Sequence, residues 1–268
     1  MVAYRAHHGL TGPAFGKGIA NANMLVYPHL KEFAEEVDTL IDEGGIGILT
    51  GEMGIGKTTA LRHCFAKLDE HALHVCYHGS SRHSLAILEA IVESLGAAPA
   101  RLRSTLLRQI TQRVARAHHE QRKKTLIVVD DAQMLDDNLL EDLRLLTNFE
   151  MDAHDPLILL LVGHPSLRLR LQRPVHLALW DRVRMHYRLE GLSSKETAEY
   201  IDCHMRDAGG NGDTFASDAK NAIFDHAQGI PRRINDLALT LLKKSAQRSL
   251  KKIDAKFVGT VIPLLRKD

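Results

Sequence analysis

The chain has 268 residues, 44% of them hydrophobic, enough for one large domain or a core domain with a small companion. Its 35 basic and 33 acidic residues nearly cancel overall, but their distribution along the chain is uneven. No run of about eighteen apolar residues occurs, and the opening Met-Val-Ala-Tyr-Arg-Ala-His-His lacks the apolar core of a secretion signal, so a cytoplasmic protein without a membrane span is expected. Cys64, Cys76 and Cys203 are widely spaced with no C-x-x-C, which points to reduced thiols. The sixteen histidines are scattered, and pairs such as His118-His119 lack the spacing that turns two rings along one helix face toward a metal.

In chain order, residues 1 to 27 carry five glycines and prolines among few periodic apolar positions and read as an extended arm on the domain. Pro28 suits the first turn of a helix through about residue 42, with Leu30, Phe33, Val37, Leu40 and Ile41 on one stripe and Gly44 as its stop. Residues 46 to 50 form a buried strand, followed by a glycine-rich loop and a helix to about residue 68. A strand at 71 to 77, helices at 84 to 95 and 102 to 121, and a strand from Thr125 follow. A helix then runs to about residue 147, an interior strand covers 157 to 162, short helices come next, and residues 184 to 189 alternate like a more exposed strand. Strands alternating with helices imply a mostly parallel five-stranded sheet covered on both faces, an α/β core from 28 to 190.

From Gly191 no further strand pattern occurs. Ser193-Ser-Lys-Glu196 is a capping box before a helix to about residue 207, and helices are expected at 217 to 227, 231 to 248 and 255 to 266. Residues 191 to 268 are therefore expected to form a small all-helical lid. Between 231 and 268 ten basic residues face three acidic ones, a surplus of seven that a polyanion such as duplex DNA would meet.

The stretch Gly51-Glu52-Met53-Gly54-Ile55-Gly56-Lys57-Thr58, set between a strand and a helix, is a phosphate-binding P-loop. Its glycines let successive N–H groups point inward, and the helix N-terminus at Thr59 adds partial positive charge. Lys57 is expected on the β- and γ-phosphates of ATP and the Thr58 hydroxyl on Mg²⁺. Asp130, at the end of the run Thr125-Leu-Ile-Val-Val, supplies the second metal ligand. The adjacent Asp131 is placed to orient and deprotonate the attacking water, with a reach one methylene shorter than that of Glu, so slow hydrolysis is expected.

The chain order of these strands resembles the AAA+ class of P-loop ATPases, and the roles of three further residues come from that resemblance. His164, at the tip after residues 157 to 162, matches sensor 1. Arg182, with Arg184 second, matches the arginine that reaches a neighbouring subunit's γ-phosphate. Arg232, with Arg233 second, lies in Gly229-Ile-Pro-Arg-Arg-Ile-Asn235 and matches sensor 2.

Together with Leu25-Val-Tyr-Pro28, Leu143-Arg-Leu-Leu-Thr-Asn-Phe-Glu150 and Asp130-Asp-Ala-Gln133, these motifs make nearly the whole chain resemble the ExeA-like AAA+ ATPases. The departures are Asp131 and His164, where that family commonly has Glu and Gln. The resemblance implies an ATPase that assembles with itself. Its short members are similar to transposition helpers such as TniB, TnsC, IstB and MuB, which implies duplex DNA, bound without sequence preference, and a transposase as partners. Two alternatives stand beside it: a secretion-type ATPase acting on a protein partner, and an ATP-binding switch with little turnover.

Overall fold

The computed structural model describes residues 3–16, 27–69, 71–79, 84–149 and 155–265. Leu25, Val26, Glu150 and the terminal Arg266, Lys267 and Asp268, all used in reading the sequence, lie outside the described residues. Two compact units are present, His29–Glu52 with Lys57–Leu189, and Met1–Pro28 with Met53–Gly56 and Glu190–Asp268.

Helix α1 is Ala3–His7. The α/β part follows as α2 (Pro28–Glu43), β1 (Gly45–Thr50), α3 (Lys57–Phe65), β2 (Leu73–His78), α4 (Ser84–Ser94) and α5 (Arg103–Gln121). It continues through β3 (Lys124–Val129), α6 (Asp137–Leu146), β4 (Leu157–Gly163), α7 (Ser166–Leu171), α8 (Leu177–Trp180) and β5 (Val183–Arg188). The last helices are α9 (Ser194–Asp207), α10 (Ser217–Ala227), α11 (Pro231–Gln247) and α12 (Ala255–Leu265).

The five strands lie in the order β2-β3-β4-β1-β5, and every neighbouring pair is parallel. A parallel strand covered by helices on both faces has no wet side, which is why residues 126–129 of β3 and 157–162 of β4 are unbroken apolar runs. Ile127, Leu159 and Leu161 of the sheet are fully buried with Leu88 and Ile91 of α4, Leu106 and Ile110 of α5, and Leu139 and Leu143 of α6. Each such side chain contributes roughly 1.5–3 kcal/mol by leaving water. The outer strands are less covered, and in β5 only Met185 is buried.

Register decides where the polar ends fall. Thr50 pairs with Gly163, and Val129 with Leu161, so β1, β3 and β4 end along one edge. With β4 between β1 and β3, the residue after β4 stands between the loop after β1 and the carboxylates after β3. At the opposite edge Lys124 ties down α2, its Nζ donating to the carbonyls of Ile41 at 2.8 Å and Asp42 at 2.9 Å. A cation there also meets the negative end of the helix dipole.

Element ends shift from the sequence expectation for local reasons. Helix α3 stops at Phe65 because Lys67 and Leu68 donate to Cys64 and Phe65, three residues back, which tightens and ends the helix. After β3 the chain makes a 3₁₀ turn at Ala132–Met134 before α6, whose N-cap Asp136 accepts the Leu139 N–H at 2.7 Å.

In the second unit Ser193 and Glu196 form the expected capping box of α9. Residues 3 to 16, by contrast, are not an extended arm. Helix α1 packs on α11, with His8 Nε2 2.9 Å from Ser245 Oγ, and Thr11 donates its N–H to Ala208 O at 2.8 Å. Tyr4, Leu10, Ala14 and Phe15 are buried, and the Phe15 ring stacks on His204 at 5.1 Å. Their spacing follows neither a helical nor a strand period, so tertiary burial rather than local pattern places them. Among the described residues no helix is long and apolar enough to cross a membrane.

Candidate nucleotide site at the strand tips

The loop after β1 turns at Gly54 and Gly56, whose φ angles of 82° and 107° lie where a side chain is strained. Its entry is tied to the next strand, the Gly51 N–H donating to Gly163 O at 3.1 Å. Ile55 is buried, whereas Glu52 and Met53 are exposed. Helix α3 begins at Lys57, so the partial positive charge of its N-terminus falls at the end of the loop. Lys57 Nζ donates to the carbonyls of Gly51 at 2.8 Å and Glu52 at 3.2 Å, which holds the ammonium over the loop.

Across the edge, Asp130 is held on both oxygens. Its Oδ1 accepts the Asp131 N–H at 2.9 Å, and its Oδ2 accepts Tyr77 Oη at 2.7 Å. Burial, and then the bond to Asp130, push the Tyr77 phenol up to about 12, so it stays a donor near neutral pH. Thr58 Oγ1 lies 3.4 Å from the same Oδ2. A hydroxyl and a carboxylate oxygen this close suit a small hard cation that keeps several waters, so these residues fit Mg²⁺.

Asp131 has a left-handed backbone, φ 51° and ψ 36°, uncommon outside glycine though Asp tolerates it better than most residues. Gln133 Nε2 donates to Asp131 Oδ1 at 3.2 Å, and Gln133 Oε1 accepts the His164 N–H at 3.0 Å. The Ser166 N–H points at His164 Nδ1 at 3.3 Å, and Ser166 Oγ lies 3.1 Å from the same nitrogen. Nε2 faces Glu52 Oε2 at 3.3 Å, which joins β4's tip to the P-loop.

The four arginines differ. Arg184 lies at the far edge of the sheet, donating to the carbonyl of Glu43 and pairing with Asp155 at 3.3 Å. Arg182, just before β5, is half-buried and donates to Thr147 Oγ1 at 3.4 Å. It precedes a six-residue strand, so it sits about 20 Å of strand away from the tip edge. Arg232 is exposed in the first turn of α11, its N–H donating to Gly54 O at 3.2 Å. A Cβ on Gly54 would lie 2.6 Å from Arg232 Cβ, so that glycine also gives α11 room. Arg233, next to it, is exposed.

Sequence reasoning gave no role to Tyr77 or Gln133. The only signal for Tyr77 is its place near the end of β2. Gln133 stands in the Asp-Asp-Ala-Gln run, but its partners lie on another strand.

A model of the AAA domain family matches residues 40–171. General secretion pathway protein A of Aeromonas hydrophila is 32% identical over 201 residues, 73% of this chain and 36% of that protein. The chain thus spans little more than a third of that relative's length. Cdc6p of Pyrobaculum aerophilum is similar in structure with a TM-score of 0.68 at 19% identity, over 89% of this chain and 67% of that one. The Aeropyrum pernix ORC1 protein, solved in complex with DNA, gives 0.65 at 17% identity, over 91% and 67%. The fold is that of an AAA+ P-loop NTPase, with a helical C-terminal region after the sheet.

Proposed function

We propose that this chain binds ATP with Mg²⁺ and hydrolyses it slowly to control its assembly on duplex DNA, as a target-selecting helper of a transposase. The observation that carries the nucleotide reading is the meeting of Thr58 Oγ1 and Asp130 Oδ2 beside a loop that ends in Lys57. The loop and Lys57 would take the phosphates, and Thr58 and Asp130 would hold the metal, which would supply neutralisation of phosphate charge. Asp131 accepts the proton of the water that attacks the γ-phosphorus as the bond to the β-phosphate oxygen breaks. The Nε2–H of His164 would be the donor toward the terminal phosphate or that water, and Arg232 keeps the sensor 2 role that the resemblance implies. Arg182, remote from its own strand tips, serves a neighbouring copy.

The DNA part of the reading is supported by charge. Between residues 243 and 256, Lys243, Lys244, Arg248, Lys251, Lys252 and Lys256 face only Asp254, and all six except Lys244 are exposed. Such a cluster meets phosphates without reading bases, and its affinity falls steeply with salt. The identity to a secretion protein favours a second reading, a secretion-type ATPase acting on a protein partner.

Lys57→Ala is the direct test of the nucleotide site. ATP affinity, measured with a fluorescent analogue, is expected to fall at least about 100-fold through loss of a charged contact to phosphate, while the melting temperature without nucleotide stays put. Wild-type affinity in that variant would end the reading. ATP-stimulated binding to DNA of arbitrary sequence at low salt supports the transposition role, and its absence turns the assignment to the secretion reading.

A further inference from the structure

Asp131 is one methylene shorter than Glu, and a carboxylate turns freely about its last bond unless something holds it. Gln133 does so here. Its Oε1 accepts from the His164 backbone N–H, a group that can only donate, which fixes the amide's direction. The Nε2 end must then face Asp131 Oδ1, to which it donates at 3.2 Å. Two features show that this amide is built in. A Cβ on Gly163 would fall against Gln133 Oε1, so the amide sits directly against the β4 tip. Arg170 Nη1 donates to Gln133 O at 3.1 Å and Leu135 O at 2.5 Å while Arg170 Nη2 pairs with Asp137, which pins the 3₁₀ turn carrying Gln133.

We propose that Gln133 is a positioning residue that ties the Asp131 carboxylate to the backbone of the β4 tip, so that base and His164 are set as one body. The inference rests on Asp131 being the base. With Oδ1 engaged by the amide, Oδ2 is the oxygen turned to the water, and any displacement of the His164 loop is passed through one side chain to the base. Tip movement and proton acceptance are thereby linked without a contact between the His164 ring and Asp131.

Two variants and one cycle test this. Gln133→Leu keeps the bulk and loses both bonds. Gln133→Glu keeps an acceptor for the His164 N–H and sets a carboxylate against Asp131. Both are expected to lower kcat about 10- to 100-fold, the scale of a misplaced catalytic group, with KM and directly measured ATP affinity within about twofold of wild type. In an Asp131→Asn background, Gln133→Leu is expected to have no further effect on kcat, because residues that act through one another do not add. Wild-type kcat in both Gln133 variants, or a Gln133→Leu cost that adds in full to Asp131→Asn, overturns the inference alone. Should Gln133→Leu melt early, Gln133→Glu decides: wild-type turnover in it means the amide serves only the fold. Wild-type turnover in Asp131→Asn overturns the base assignment, and the inference with it.

Discussion

The two units use polar side chains in opposite ways. In the α/β unit the sheet interior is dry, and polar groups gather at one strand edge, where Thr58, Tyr77, Asp130, Asp131, Gln133 and His164 are half-buried or exposed and bonded across strands. In the helical unit the buried polar residues are His204, Thr197, Thr214 and Ser245, and five exposed cations fall between residues 243 and 256. Cross-strand groups that share partners can exchange them for a ligand, whereas a lone buried group is fixed by packing. The contrast makes the strand edge of the α/β unit the place where exchange of partners for a ligand is expected.

Arg182 and Arg184 give the largest expected effect and test whether the far edge of the sheet carries function. Arg182→Ala is expected to lower turnover about 1000-fold in concentrated, self-assembled protein, the usual worth of an arginine supplied by a neighbour, with ATP affinity unchanged. Arg184 is bound to the carbonyls of Glu43 and Gly44, so Arg184→Ala is expected to leave turnover intact and cost about 1–2 kcal/mol of stability. Equal turnover in both variants would show that this edge is structural throughout.

The helical unit answers through pH. Burial pushes His204 down to about 4, Asp207 opposing only in part, and its Nε2 is buried without a hydrogen-bond partner among the described residues. The folded value lies below that of an exposed histidine, so the unfolded chain binds the extra proton between about pH 6.5 and 4. Stability is then full above pH 6.5 and is lost as pH falls through that window, by at most about 3 kcal/mol at 1.36 kcal/mol per pH unit. Denaturant midpoints at pH 7 and 4.5 measure it, and His204→Phe, which keeps the ring against Phe15 and Tyr200, is expected to remove most of the difference.

Much of the α/β unit was readable from residue order because its signals are local. The interior strands are continuous apolar runs, the P-loop is eight adjacent residues, and the sheet is parallel as the alternation of strands and helices implied. What the sequence hid is tertiary. Tyr77 meets Asp130 from 53 residues away, and Gln133 meets His164 from 31. No spacing rule reports a contact between strands that are neighbours only in space. Helix α1 was missed for the same reason: five residues are too few to show a period, and α11 supplies the burial that holds them. The Ser193 capping box, by contrast, needs only four adjacent residues and was legible at once.

Tyr77→Phe sharpens the contrast at the site itself. Losing the 2.7 Å phenol bond frees Asp130 Oδ2 from a competitor for the metal, so the Mg²⁺ concentration that half-saturates ATP binding is expected to fall about threefold, near the lower worth of one hydrogen bond. A rise instead would mean that the phenol holds the carboxylate in its working rotamer.

The smallest effect is expected where support alone is at stake. Ser193 Oγ accepts the Glu196 N–H, and Glu196 returns to the Ser193 N–H at 2.8 Å, so two donors at the start of α9 are satisfied within one turn. Ser193→Ala keeps the carboxylate half of the box and is expected to cost about 1 kcal/mol, a drop of about 2–4 °C in melting temperature. Because neither Ser193 nor Glu196 belongs to the strand-tip network, ATP affinity and kcat should not move at 25 °C. A change in kcat there would mean that the first turn of α9 takes part in turnover, and the division between a chemical unit and a supporting one would fail at its most ordinary residue.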